Sequence, residues 1–180
     1  MILNIFNEEK AVARLAEILA LECGVSPAEA RMICTAAALH DIGKQKIPPS
    51  ILNKPGKLTA QEFEIVKTHT TLGAEILGHF QGELGETARQ IALWHHEKYD
   101  GSGYWGKRAG EIPLCVSVTV IADVFTALVC ARPYKEPWPL IAAIEFIQSK
   151  AGTWFDPALT AVFLPLVRSD SRVTALFDGR

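Results

Sequence analysis

The sequence has no apolar run of the roughly 18 to 20 residues that a membrane-spanning helix needs. Its longest apolar stretch, Leu114–Val129, is interrupted by four polar residues, among them Asp123. The first ten residues also lack a basic stretch followed by a long apolar run, which a secretory signal would have. We therefore expect a chain that does not cross a membrane and that lies in the cytoplasm.

The chain also lacks an excess of positive charge. Its 18 Lys and Arg residues stand against 20 Asp and Glu residues, which gives a formal net charge of −2 at pH 7. No global positive field is available to hold a phosphate backbone. Polymeric DNA or RNA is therefore not an expected partner.

Cysteine is scarce, and no two cysteines stand close together. The four are Cys23, Cys34, Cys115 and Cys130. Each lies within a periodic apolar segment, so we predict buried free thiols in a reducing compartment rather than disulfides or a zinc ribbon.

What the chain does have is the length and composition of one globular domain. Its 180 residues are 49% apolar and 21% charged, which is enough to build a core. No repeat, low-complexity tract or linker divides it. We expect a single domain over 1–180, with a core of about 8–167 and a C-terminal tail over 168–180.

Apolar residues recur at helical spacing through most of the chain, which predicts an all-α helical bundle. The predicted helices cover about 8–23, 26–40, 59–80, 84–97, 113–131, 137–150 and 156–167. Three of them begin with a capping residue, namely Ser26, Thr59 and Asp156. The β-branched residues of 113–131 also fit a strand, but its length and the helical pattern around it favour a helix.

Four of the five histidines lie where predicted helices begin or end, and two of them have an acidic neighbour. The four are His40, His69, His95 and His96. Imidazole together with carboxylate suits manganese, iron, nickel or zinc, whereas magnesium or calcium favours oxygen ligands. The fifth, His79, has no acidic neighbour, and we interpret it as structural.

The adjacent pairs His40–Asp41 and His95–His96 indicate two metal ions. Neighbouring residues on a helix diverge by about 100°, so each pair would spread across a shared centre unless two ions stood between them. Asp41 could bridge ions about 3.5 to 4 Å apart and hold a shared hydroxide for in-line attack on phosphorus. Phosphate ester hydrolysis is the chemistry that such a site serves best.

Five short motifs resemble the HD-GYP family, in its order and at its spacing. They are His-Asp-Ile-Gly-Lys at 40–44, His69 with Gly73, His-His-Glu-Lys-Tyr-Asp-Gly-Ser-Gly-Tyr at 95–104, Ala-Asp-Val-Phe at 122–125 and Arg-Pro-Tyr-Lys at 132–135. The resemblance covers roughly residues 11–163, which is most of the chain.

This resemblance implies an HD-superfamily helical bundle whose metal centre hydrolyses cyclic di-GMP to pGpG and, in many members, to GMP. The ligands it implies are His40, Asp41, His69, His95, His96 and Asp123, with Asp41 bridging. We expect two divalent transition-metal ions, iron or manganese in the first place, with zinc or nickel as alternatives.

Three cationic residues and one aromatic residue are candidates for binding the substrate. Lys44 lies three residues after Asp41, where it can bind a phosphate oxygen or neutralise the leaving alkoxide, although a solvated loop lysine is the alternative. Arg132 and Lys135 resemble the family's phosphate and guanine contacts, and a solvated cationic turn is the alternative. Tyr104 could stack on a ligand.

The sequence departs from the family's pattern at the first helix. Most members carry a histidine 32 residues before the His-Asp pair, and here that position is Glu8. Glu8 is either a ligand or a solvated carboxylate at a helix N-terminus. Members with three metals have a glutamate one turn earlier, where this chain has Asn4, and this favours two ions.

A second departure lies in the loop Tyr99–Gly110, where the family's Gly-Tyr-Pro reads Gly103-Tyr104-Trp105. The change removes a fixed φ angle and adds a large aromatic, so the loop's shape or its protein partner could differ. A diguanylate cyclase or another signalling protein is the partner that this loop would meet.

Two other functions stay open at this stage. One is a catalytically degenerate module that binds cyclic di-GMP or a diguanylate cyclase without turnover, which Glu8 and Trp105 would suit. The other is an HD phosphohydrolase for a different nucleotide.

Overall fold

The structure, a computed structural model, describes residues 2–131 and 136–177; for residues 2–7 it describes the backbone only. These residues form ten α-helices and one 3-10 helix and contain no β-strand, which confirms the all-α prediction. The α-helices are α1 (Ile2–Glu22), α2 (Pro27–Ala37), α3 (Pro49–Leu52), α4 (Ala60–Lys67), α5 (His69–Leu77), α6 (Gly82–Trp94), α7 (Leu114–Val129), α8 (Leu140–Ser149), α9 (Pro157–Ser169) and α10 (Ser171–Phe177), and the 3-10 helix is Ile42–Lys46.

Helix α1 supplies the central apolar face of the core. The residues that share this face recur every three or four positions and are all buried; they are Val12, Leu15, Ala16, Leu19 and Ala20. The helix begins at Ile2 instead of the predicted residue 8, because no glycine or proline interrupts the segment before Glu8. It packs against α2 and α7.

Helix α7 resolves the ambiguity between helix and strand. It is helical over 16 residues despite its β-branched content, since it is buried among other helices and its length favours this form. The hydroxyl of Thr119 donates to the carbonyl of Cys115 at 2.7 Å, which satisfies a polar group inside the core. Asp123 lies on the same helix and is only half-buried.

The predicted N-caps are confirmed. Ser26 Oγ accepts from the Glu29 amide at 3.2 Å, and Asp156 accepts from two amides at the start of α9. Thr59 and Glu62 form a reciprocal capping box at the start of α4. Local side-chain chemistry therefore sets where these helices begin.

Further helix boundaries differ from prediction. The segment 59–80 is two helices that meet at Thr68, so His69 becomes the first residue of α5. Helix α2 ends at Ala37, short of His40. The tail is helical over Ser171–Phe177 because the buried Val173 docks it on the core.

The structure bears on two further predictions, the buried thiols and the absence of a membrane-spanning helix. None of the four cysteines is joined in a disulfide, but only Cys130 is buried and the other three are half-buried. In the part of the chain that the structure describes, no helix combines the length and apolar character required to cross a membrane.

The 3-10 helix touches the backbone of α5 at Gly43. A Cβ on Gly43 would lie 1.9 Å from the carbonyl oxygen of His69 and 2.5 Å from the amide nitrogen of Gly73. Only a residue without a side chain allows this approach. The contact brings the segment that follows His40 and Asp41 against the start of α5.

We expect Gly43→Ala to lower the free energy of unfolding by at least about 2 kcal/mol, because its methyl group would overlap backbone that has no room to move. Urea denaturation measures this. Gly78→Ala is the matched control, since Gly78 has a helical φ of −62° and its Cβ would approach no atom closer than 3.3 Å. Equal midpoints for the two variants would contradict the role of the Gly43 contact.

Candidate metal centre

Four of the predicted ligands come together at the ends of three helices. They are Asp41 in the turn after α2, His69 at the start of α5, His95 at the C-cap of α6, and His96 just after it. Each offers one ligand atom, and these atoms all lie within 4.8 Å of one another. The arrangement could hold a metal ion.

The two carboxylate oxygens of Asp41 face different groups. Oδ1 lies 3.4 Å from His69 Nε2 and 3.6 Å from His95 Nε2. Oδ2 lies 3.4 Å from His40 Nε2 and accepts a 2.5 Å hydrogen bond from the Lys44 ammonium. Asp41 therefore stands between two sets of nitrogen donors, as a bridging carboxylate would.

His40 and Asp123 complete the second set. His40 Nε2 lies 3.8 Å from Asp123 Oδ1 on α7 and 3.4 Å from Asp41 Oδ2. His40 is buried, whereas Asp123 is half-buried. The six ligands implied by the family resemblance thus lie at one end of the bundle.

Backbone carbonyls fix the orientation of three histidine rings. In each ring Nδ1 contacts a carbonyl oxygen three residues earlier: His40 with Ala37 at 2.8 Å, His69 with Val66 at 2.6 Å, and His95 with Ala92 at 3.0 Å. A carbonyl can only accept, so these contacts place a proton on Nδ1 of each ring and turn Nε2, which carries the lone pair in the neutral ring, toward Asp41.

Burial and charge set the protonation of these groups. Burial lowers the pKa of His69 to about 4, and burial together with the neighbouring His95 and His69 lowers that of His96 to about 2. Burial opposes the charge on His40, but the carboxylates of Asp41 and Asp123 outweigh it and raise its pKa to about 9. Burial alone would raise the pKa of Asp41, yet His40 and the other cationic groups hold it well below its usual range.

The donor set fits a divalent metal ion. Asp41 Oδ1 is buried and accepts no hydrogen bond from the described residues. His69 Nε2 and His95 Nε2 lie 3.2 Å apart with their lone pairs facing each other, a contact that neither ring can satisfy. Imidazole nitrogen and carboxylate oxygen together are typical of transition-metal sites.

Two ions were expected because neighbouring residues on a helix diverge, and this reason was wrong. The position of Asp41 between two sets of donors does not depend on it. The pairs His40–Asp41 and His95–His96 do not lie within helices: α2 ends at Ala37, and α6 ends at Trp94. The 100° divergence of helical neighbours therefore does not apply to them. What separates the donors is the two-sided carboxylate of Asp41.

The first helix contributes a carboxylate that the sequence did not single out. Glu8 is half-buried and lies outside the group of four ligand atoms. Its neighbour Glu9 is half-buried too, and its pKa is raised by burial while His40 and Lys44 counteract the rise. Counting back 32 residues from His40 gives Glu8, so that count passed over Glu9. The role of Glu8 stays a prediction.

Four further residues named from the sequence are Arg132, Lys135, Asn4 and Tyr104. Arg132 and Lys135 lie outside the described residues, so their roles stay predictions. The side chain of Asn4 is likewise not described. Tyr104 is half-buried and its ring lies tilted on that of His96, with the ring centroids 4.5 Å apart.

Glu97 directly follows His96, and no role was predicted for it from the sequence. Its carboxylate is 1% exposed and accepts from the amides of Trp105 and Lys107, both at 2.7 Å. The loop is thereby tied to the residues that carry His95 and His96. Proline at position 105, which the HD-GYP pattern has, would lack one of these two donors.

The loop is also anchored through the side chain of Trp105. The Trp105 indole donates to Thr70 Oγ1 at 3.2 Å, yet the ring is 48% exposed. That the loop meets a protein partner stays a prediction.

Comparisons with known proteins bear on the family to which this chain belongs. The family model described as "HD domain" matches residues 4–159. The cyclic di-GMP phosphodiesterase response regulator RpfG of Xanthomonas campestris is 46% identical over 147 residues, covering 81% of this chain and 39% of that protein. A cyclic di-GMP phosphodiesterase of Thermotoga maritima is 46% identical over 149 residues, covering 82% of this chain and 40% of that protein.

A third relative is named for a different substrate. The 3′3′-cGAMP-specific phosphodiesterase 2 of Vibrio cholerae is 46% identical over 154 residues, covering 85% of this chain and 30% of that protein. This chain thus spans between 30% and 40% of the length of these three relatives.

Solved structures share the fold. A structure described as Bd1817, an HDG"Y"P protein from Bdellovibrio bacteriovorus, has a TM-score of 0.72 at 19% identity, covering 92% of this chain and 53% of that one. The PgpH HD domain of Listeria monocytogenes has a TM-score of 0.64 at 19% identity, covering 96% of this chain and 91% of that one. With the family match over most of its length, this chain belongs to the HD domain family, and its resemblance to the HD-GYP type is confirmed.

Proposed function

We propose that this chain is a metal-dependent phosphodiesterase that hydrolyses cyclic di-GMP, with either pGpG or GMP as the final product. The observation that carries the proposal is the two-sided carboxylate of Asp41, with histidine nitrogens within 3.6 Å of each of its oxygens. Two relatives at 46% identity are named for this activity, which supports the choice of substrate.

Two divalent ions would be held by residues that meet at Asp41. Asp41, His69, His95 and His96 would hold one ion, and His40 and Asp123, together with the shared Asp41, would hold the other. Iron or manganese suits this mixture of nitrogen and oxygen donors, with zinc or nickel as alternatives. Such ions supply Lewis-acid polarisation of phosphate oxygens and an activated water nucleophile.

The protein's own contribution begins with the carbonyls behind the histidines. Each holds its ring with Nδ1 protonated and Nε2 facing Asp41, so that no reorientation is needed on binding. His40, whose pKa is raised to about 9, would release its Nε2 proton when a metal binds. Burial keeps His69 and His96 neutral at physiological pH, which is the state a ligand needs. The site is organised before metal or substrate arrives.

Lys44 would position a phosphate group of the substrate and neutralise the charge that develops on the leaving oxygen. Its ammonium has three N–H donors, and the bond to Asp41 Oδ2 uses one of them. The side chain is 44% exposed, so the remaining donors can reach a phosphate oxygen of a substrate or the developing charge on the leaving oxygen. Tyr104 adds an aromatic face beside His96, and Arg132 and Lys135 are proposed as further substrate contacts.

Metal content tests the centre directly. Protein purified without oxygen should carry about two equivalents of iron or manganese by mass spectrometry, and His69→Ala should lower this to one or less because it removes a ligand of the first ion. His79→Ala is the matched control, since His79 is exposed and remote from the centre. Full metal content in His69→Ala would contradict the assignment.

Turnover tests the function. Metal-loaded protein should convert cyclic di-GMP to pGpG under anaerobic conditions, followed by chromatography. Asp41→Asn should reduce kcat at least roughly 100-fold, since an amide cannot supply the bridging negative charge.

Glu83→Gln, an exposed carboxylate on α6, should leave turnover unchanged. Intact cyclic di-GMP after prolonged incubation with micromolar metal-loaded protein would overturn the proposal and favour a binding module.

A further inference from the structure

The junction between α4 and α5, which carries His69, is held by a row of side-chain contacts to the backbone. Each side chain of the row contacts the carbonyl oxygen three residues earlier, at 2.6 to 2.9 Å. The row is Thr68 on Ile65, His69 on Val66, Thr70 on Lys67 and Thr71 on Thr68. These contacts fix the backbone on both sides of His69.

Thr70 also bonds to the loop Tyr99–Gly110. Its hydroxyl donates to the Lys67 carbonyl at 2.9 Å and accepts from the Trp105 indole at 3.2 Å. Thr70 is 0% exposed and follows His69 directly in the sequence. In the part of the chain that the structure describes, no other member of the row has a hydrogen bond to this loop.

The backbone of Trp105 is held beside His96. Its amide donates to the Glu97 carboxylate at 2.7 Å, and Glu97 follows His96 directly. Gly103 lies against the same stretch of backbone, since a Cβ there would come within 2.5 Å of Glu97 Cα and 2.8 Å of the His96 carbonyl oxygen. Trp105 therefore connects the residue after His69 with the residue after His96.

The two segments that Trp105 connects carry ring nitrogens in an unfavourable contact. His69 Nε2 and His95 Nε2 lie 3.2 Å apart, and both rings have their Nδ1 on a backbone carbonyl. Two such Nε2 atoms have no proton to share, so the contact becomes favourable only when an ion lies between them. A connection behind the ligands opposes their separation.

The family's proline and this chain's tryptophan stiffen the loop in different ways. Proline at position 105 would fix its own φ angle, but it has neither an amide proton nor a side-chain donor. Trp105 uses two hydrogen bonds instead, and the indole bond reaches α5. The substitution thus links the loop to the helix that supplies His69.

We propose that Trp105 is a positioning residue of the metal centre. Its two hydrogen bonds hold the segment of His69 at a fixed distance from the segment of His95 and His96, and this raises the affinity for the ion that these histidines bind. The inference rests on the metal centre of the proposed function and not on the identity of the substrate.

The size of the effect follows from the way the ligands are supported. Loss of a residue that orients metal ligands from behind costs about 10- to 100-fold in metal affinity. Helices α5 and α6 also pack directly on each other, so part of the support stays when Trp105 is altered. We therefore expect the lower end of that range.

Titration of the metal-free protein with Mn²⁺ measures this affinity, with the free ion counted by electron paramagnetic resonance. Trp105→Phe keeps the aromatic ring and the backbone amide but has no indole N–H. It should weaken binding ~10-fold for the equivalent of Mn²⁺ that His69→Ala removes. Thr70→Val, which lacks the acceptor, should weaken it by the same factor.

The double variant Trp105→Phe/Thr70→Val shows whether the two residues act through one bond. If they do, its loss of affinity should stay ~10-fold, since the second substitution breaks nothing that the first left intact. Thr70→Ser, which keeps the hydroxyl, should bind Mn²⁺ as the unaltered protein does.

Thr71→Val is the matched control. The Thr71 hydroxyl bonds to the carbonyl three residues earlier, as that of Thr70 does, but it is not bonded to the described loop residues. Its Mn²⁺ affinity should equal that of the unaltered protein. The titration contains no substrate, so binding of a substrate or a protein partner to the exposed indole face does not influence the result.

Two results would overturn the proposal while leaving the phosphodiesterase function standing. One is an unchanged Mn²⁺ affinity in Trp105→Phe, and the other is a loss of ~100-fold in the double variant, which would mean independent effects. The Trp105 side chain is 48% exposed, so Trp105→Phe decides the question even where Thr70→Val does not fold. Unaltered protein that binds no Mn²⁺ would overturn this proposal and the proposed metal centre together.

Discussion

The metal centre depends on how closely two stretches of backbone approach each other at Gly43. The place that a side chain would take at Gly43 is filled by the carbonyl of His69 and the amide of Gly73. This contact sets the distance between the turn that carries Asp41 and the helix that carries His69. Without it, the 3.4 Å separation of Asp41 Oδ1 and His69 Nε2 would have no structural support. A packing constraint between main chains thus comes before the chemistry of the ligands.

Helix ends are the second organising feature. His40, His69, His95 and His96 all lie where a helix begins or has just ended, and three of them contact the carbonyl three residues earlier. Carbonyls near a helix C-terminus lack an intrahelical donor, so they are available to a ring nitrogen. The same groups that would otherwise need solvent orient the imidazoles. The residues at the helix termini can therefore form a metal site without any change in the core of the bundle.

Much of this was predictable from the sequence because local signals were strong. The buried face of α1 follows from the spacing of its apolar residues, and the N-caps at Ser26, Thr59 and Asp156 follow from side-chain chemistry alone. The convergence of distant histidines did not follow from spacing and came from the family resemblance.

The sequence failed where the outcome depends on a turn of one or two residues. Tertiary contacts decide the break at Thr68 and the early end of α2. Helix propensity, which depends on local sequence, does not predict them. The position of Glu97 could have been noticed, since an acidic residue directly after two histidines is unusual for a surface loop. Its two amide donors lie eight and ten residues further on, and only the folded loop reveals them.

The anchoring of the loop by Glu97 bears on the entropy of ligand binding. A glycine-rich loop would ordinarily lose much conformational freedom when a ligand orders it, and this loss weakens affinity. Here the amides of Trp105 and Lys107 are already held by a buried carboxylate, and Tyr104 already lies on His96. A ligand that stacks on Tyr104 therefore meets a surface whose ordering was completed when the chain folded.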